Sequence, residues 1–141
     1  MIVICAFNGE EESAGSRAFV NEIKSKLLYE KLYNINIDAI GSKEGGKSAL
    51  KNKSKVSTSC EVNLKKNNIY FTDTIVKAGS DHISFEYENI PNVLFVQENI
   101  ENLVHKPTDI PETLDYKQID RIANAISDFV ETNNGIMLEA K

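Results

Sequence analysis

The sequence predicts an α/β layer fold with a largely parallel sheet, and three observations carry that reading. Two apolar runs, Ile2–Phe7 and Asn92–Gln97, have the length and β-branched content of buried strands. Two longer segments place apolar residues at helical spacing: Phe19, Val20, Ile23, Leu27 and Leu28, then Ile119, Ile122, Ile126, Phe129 and Val130. Strand and helix patterns alternate along the chain, as they do where helices cover both faces of a sheet.

The first run ends at the turn signal Asn8-Gly9 and delivers three consecutive carboxylates, Glu10, Glu11 and Glu12. The helix after it opens near Gly15-Ser16, with Ser16 the candidate N-cap, and runs to about Tyr29. Asn34–Asp38 alternates polar and apolar and reads as a strand continuing to Ala39-Ile40. The glycine-rich segment Gly41–Lys47 lacks the full spacing of a phosphate loop and reads as an ordinary connection. A strand near 48–51 and a helix near 56–67 follow, then a short strand at Ile69–Phe71. Ser80-Asp81-His82 opens a short helix to Glu88, and Asn89-Ile-Pro91 turns into the second buried strand. Asp115 with Gln118 resembles a capping box for the last helix, 115–132, which ends at Asn133-Asn134-Gly135. Residues 136–141 read as a loose tail of what is otherwise a single domain, 1–141.

Composition narrows the function classes. The 141 residues are 41% hydrophobic and 26% charged, as in ordinary globular proteins. A net charge of −5 argues against a nucleic-acid partner, which favours a basic face. No apolar stretch approaches the roughly 20 residues that span a bilayer, and no basic residue precedes the first apolar run as in a secretory signal. Cys5 and Cys60 form no disulfide framework, and Cys5 reads as a small buried hydrophobe. The signal region of any parent protein is outside the chain, so localisation stays open.

Three groups capable of metal chemistry fall just beyond strands, at the edge where α/β sheets hold their sites. They are Glu10–Glu12, Asp38, and His105 in the loop after Gln97. Carboxylate oxygen and imidazole nitrogen are ordinary zinc donors. Each also has a plain structural reading: favourable charge at a helix N-terminus, a backbone cap, and an exposed loop histidine.

The order and surroundings of these groups carry a resemblance. Phe7-Asn-Gly-Glu-Glu11 with Gly15-Ser-Arg-Ala-Phe-Val20 is similar to the Phe-x-Gly-Glu-Glu … Gly-Ser-x-x-Phe/Tyr-Val stretch of the co-catalytic zinc aminopeptidases, metallopeptidase family twenty-eight of clan MH. Asn36-Ile-Asp-Ala-Ile-Gly41 resembles that family's Asn-Leu-Asp-Met-Ile-Gly. Ser80-Asp-His-x-x-Phe85 with Asn-Ile-Pro91, and Val104-His-Lys-Pro-Thr-Asp109, match two further family segments in the right order.

The resemblance implies a three-layer α/β/α fold with a largely parallel, mixed central sheet, of the zinc-peptidase (phosphorylase/hydrolase-like) type, truncated at its N-terminus. It implies a hydrolase, an exopeptidase acting on peptide N-termini, with Glu10 as general base. Glu11, Asp38 and His105 match zinc ligands, and two zinc ions serve each complete catalytic domain. Glu12 is the rival for the register of the pair, because one residue fewer separates the pair from Gly-Ser than in the family. Asp81 and His82 match in position and read as pocket wall, while Ser80 or Asp81 reads equally as a helix cap.

The family's His-x-Asp motif, source of a histidine ligand and the bridging aspartate, does not occur here; the histidines are His82 and His105. The expectation is therefore an incomplete site: a zinc aminopeptidase parent, and a 141-residue chain inactive by itself. The abrupt start at Ile2 suggests that the natural protein extends N-terminally. An open sheet edge would then favour a homodimer or swapped assembly. The alternatives are a non-catalytic binding or structural relative of the same fold, and, within the clan, carboxypeptidase or cyclase chemistry.

Overall fold

Asn92–Gln97 forms the central strand, and every one of its six residues is buried. In the computed structural model, residues 2–9, 12–26, 32–51, 55–69, 71–72 and 79–133 are described. Along these residues run α1 (Ala14–Ser25), β1 (Asn34–Ile37), β2 (Ser48–Lys51), α2 (Lys55–Lys66), β3 (Phe71–Thr72), α3 (His82–Tyr87), β4 (Asn92–Gln97) and α4 (Tyr116–Thr132). The sheet order is β1-β4-β2-β3. β1 runs parallel to β4 with Ile37 opposite Phe95, and β2 parallel to β3. β2 is antiparallel to β4, Ser48 facing Gln97, so the sheet is mixed, as expected.

The period-2 alternation of β4 divides the core between the two faces of the sheet. Val93 and Phe95 pack with Val56, Cys60 and Leu64 of α2 and with Ile122, Ala125 and Phe129 of α4. Leu94 and Val96 point the other way and pack with Ile100, Ala39 and Val104. α1 and α3 pack on each other, α3 also touches β1 and β4, and α2 touches α4. The result is three layers. Each large side chain fully buried here, such as Phe95, Leu94 or Phe129, contributes about 1.5–3 kcal/mol through removal from water.

Asp115 caps α4, its side chain accepting from the amides of Lys117 and Gln118. The box is half-formed, because the Gln118 side chain turns to Gln97 instead of back to Asp115. The Gly41–Lys47 segment is a loop held by Gln97, whose buried amide accepts from Ser42 N at 2.7 Å and donates to the carbonyls of Ser42 and Gly46. Glu98 Oε1 takes the Lys47 amide at 2.9 Å. The N–H groups of Ser42, Lys43, Glu44, Gly45 and Lys47 are all committed to the protein itself, which supports the plain-loop reading.

Three expectations are corrected. Ile2–Phe7 forms no strand; it is extended without ladder partners, with Ile2 and Ile4 63% and 94% exposed. An apolar run becomes a strand only where an edge pairs with it. Here residues 5–7 pass Asn36, Ile37 and Asp38 across a cavity rather than through hydrogen bonds. Cys5 is exposed for the same reason. Ser16 is not a cap: Ser13 holds the N-cap position, and Ser16 is fully buried inside α1. The end of the first helix near Tyr29 and the tail 136–141 lie outside the described residues.

Candidate active site

The turn that carries the acidic pair is built from its two ends. Ala14 N donates to Gly9 O and Gly15 N to Asn8 O, both at 3.1 Å, so two amides at the start of α1 are satisfied by the preceding turn. Gly9 takes a left-handed φ of +70°. Phe7 anchors the incoming chain on Phe19 of α1 and Phe85 of α3, with ring centroids 5.4 and 6.3 Å away. Ser16 Oγ lies 2.8 Å from Ser84 Oγ, joining α1 to α3 inside the protein. The Phe, Gly and Ser of the first motif are therefore the frame of this turn. Glu10 and Glu11 themselves lie outside the described residues. Glu12 is exposed, and its carbonyl accepts from Arg17 Nη2 at 2.7 Å.

Asp38 follows the last residue of β1, and its amide donates to Phe95 O at 3.0 Å, extending the ladder by one step. His105 follows the helical turn Ile100–Asn102 that leaves β4. Both line one cavity of about 480 Å3, together with Ser13, Ala39, Gly79, Ile83, Val96, Ile100, Glu101, Val104 and Asp109. Residues 67 positions apart are thus brought to one space at the carboxyl ends of two parallel strands, the place where α/β sheets hold ligands.

Backbone conformation marks the same cavity. Among the described residues five non-glycines have positive φ: Ser13, Ala39, Asn68, Asn89 and His105. Three of these five, Ser13, Ala39 and His105, line it. Left-handed backbone costs an L-residue about 1–2 kcal/mol, and such positions gather at functional sites, held there by the surrounding structure.

Asp81 and His82 are buried at the start of α3. Asp81 stands at the N-cap position, but its side chain makes no capping hydrogen bond, so the cap reading does not hold for it. Asp81 lines a second cavity, of about 350 Å3, with Cys5, Ala6, Phe7, Asn36, Ile37, Asp38 and Ser80. Asp38 borders both spaces. Ser80 Oγ accepts from Asn36 Nδ2 at 2.8 Å.

The donors fit a borderline metal such as zinc in kind, a carboxylate and an imidazole facing one cavity. They are few: among the described residues no group of three or more His, Cys, Asp or Glu side chains is placed to hold a metal. The sequence reading missed the apolar wall of the larger cavity. Val96 was available from the alternation in β4, and Val104 from its spacing four residues beyond Ile100.

The sequence profile of one family, described as Peptidase family M28, matches residues 1–130. The chain belongs to that family. Solved M28-like structures share its fold. An aminopeptidase from Aneurinibacillus sp. strain AM-1 superposes with a TM-score of 0.79 at 21% identity, covering 96% of this chain and 34% of its own. A zinc aminopeptidase of Bacillus subtilis, BSAP, gives 0.75 at 20% identity, covering 96% and 38%. The chain thus spans about a third of the length of the structures it matches, and at these identities the likeness is one of fold. No curated protein sequence matches it. Among the described residues no helix is long and apolar enough to cross a membrane.

Proposed function

We propose that this chain supplies part of the catalytic centre of a zinc-dependent aminopeptidase. The observation that carries the reading is the meeting of Asp38 and His105 in one cavity. Membership of the peptidase family supports it.

In this reading Glu11 and His105 hold one zinc ion and Asp38 contributes to the second. Zinc, when bound, polarises the scissile carbonyl and lowers the pKa of a water. Glu10, left free of the metal, would accept the proton of the attacking water and return it to the leaving amine. Ile83, Val96, Ile100 and Val104 give the cavity an apolar wall.

The 141-residue chain carries no His-x-Asp, and by itself we take it to be inactive. That same observation favours a second reading, a non-catalytic relative of the fold. The test is Glu10→Gln in the protein that carries this chain within a full ligand set, assayed on a peptide substrate. The expected outcome is a loss of about 10²–10⁴-fold in kcat, the usual worth of a general base, with zinc content unchanged. Unchanged turnover, or none in the unsubstituted protein, would instead support the non-catalytic relative.

A further inference from the structure

The cavity bordered by Asp38 and Asp81 is unbalanced in charge. Asp81 is 6% exposed, and its Oδ1 has no hydrogen-bond partner among the described residues. It does not cap α3. No described Lys, Arg or His lines the cavity, yet a second carboxylate, Asp38, does. A buried carboxylate without a partner is costly, and a second carboxylate bordering the same space adds a repulsion that a bound cation relieves.

We propose that Asp81 is held buried and uncompensated to strengthen the binding of a divalent cation at Asp38. It is a positioning residue: its charge acts across the shared cavity, and Asp38 makes the contact. The inference rests on the reading of Asp38 as a metal ligand. Its cost falls on the metal-free chain, where no described cationic side chain lines the cavity beside the Asp81 carboxylate. Its benefit appears only when the cation is present.

Two readouts that respond oppositely test this on the 141-residue chain, with zinc alone as probe in competition with a chromophoric chelator. Asp81→Asn keeps the shape and removes the charge. Its zinc affinity should fall by about 10–100-fold, the usual effect of losing a supporting group around a metal, while the melting temperature of the metal-free chain rises. Ser80→Ala, in the same cavity but uncharged, should lower the melting temperature and leave affinity within about twofold, since one neutral hydrogen bond is lost. Asp38→Asn should remove the zinc that Asp38 contacts and leave any held by Glu11 and His105.

If Asp38→Asn lowers the zinc bound and Asp81→Asn leaves binding unchanged, the inference fails and the ligand reading stands. An Asp81→Asn chain that melts earlier, or does not fold, overturns the inference too. If Asp38→Asn binds normally, the ligand reading itself fails. If the unsubstituted chain binds no zinc, the inference fails, and turnover of the protein with a full ligand set still judges the reading on its own.

Discussion

The carbonyl oxygen of Asn8 accepts the amide of Gly15 at 3.1 Å, and a Cβ placed on Gly15 would lie 2.3 Å from that same oxygen. The first turn of α1 and the turn before it are in contact through backbone alone. Any side chain at 15 pushes them apart.

Gly15→Ala should therefore destabilise the chain by about 1–3 kcal/mol, the cost of an unmade backbone hydrogen bond and its unsatisfied groups. Urea denaturation measures it. A change inside about 0.5 kcal/mol, the range of ordinary surface substitutions, would mean that the turn closes in another way.

Ala39 offers the opposite case. Its φ of 50° costs an alanine about 1–2 kcal/mol, against roughly 0.5–1 kcal/mol for the extra freedom of an unfolded glycine. Ala39→Gly should melt at or above the parent. Ala125→Gly, inside α4 and buried, should lose about 1 kcal/mol or more. Equal losses in the two variants would show that residue 39 carries no strain.

The two cysteines separate by burial. Burial pushes the Cys60 thiol from 9.0 up to about 12, whereas Cys5 is exposed. A thiol reagent at neutral pH should modify one cysteine in the folded chain and two after denaturation. The folded pKa is raised, so the folded state keeps its proton longer than the unfolded one. The stability tied to Cys60 is full below pH 9 and falls as pH rises from 9 toward 12. Cys60→Ala should show a shallower decline over that window than the parent, and parallel declines would contradict the assignment.

Local pattern was enough for the parts of the fold that local pattern governs. β4 and α4 stand where hydrophobic period and the Asp115 cap place them, because their partners match their periodicity, whereas α2 (Lys55–Lys66) formed without a clean apolar period to announce it. Ile2–Phe7 was misread because strand formation depends on a neighbouring edge, which composition does not report. Ser16 has the chemistry of a cap and instead serves as a buried link to Ser84, a contact across 68 positions. In the site, residue types and order pointed to Asp38 and His105. The left-handed backbone at Ala39 and His105 and the unpartnered oxygen of Asp81 arise from tertiary packing, and neither leaves a mark in the local sequence.

The grip of Gln97 on the 41–47 loop has a consequence for amide exchange with solvent. That segment is rich in glycine and largely at the surface, where exchange is ordinarily fast. One buried side chain on the central strand holds Ser42 N, Ser42 O and Gly46 O together. The Ser42 amide should then exchange on the slow clock of β4 rather than on that of a surface connection, because releasing it requires Gln97 to leave its place in the sheet.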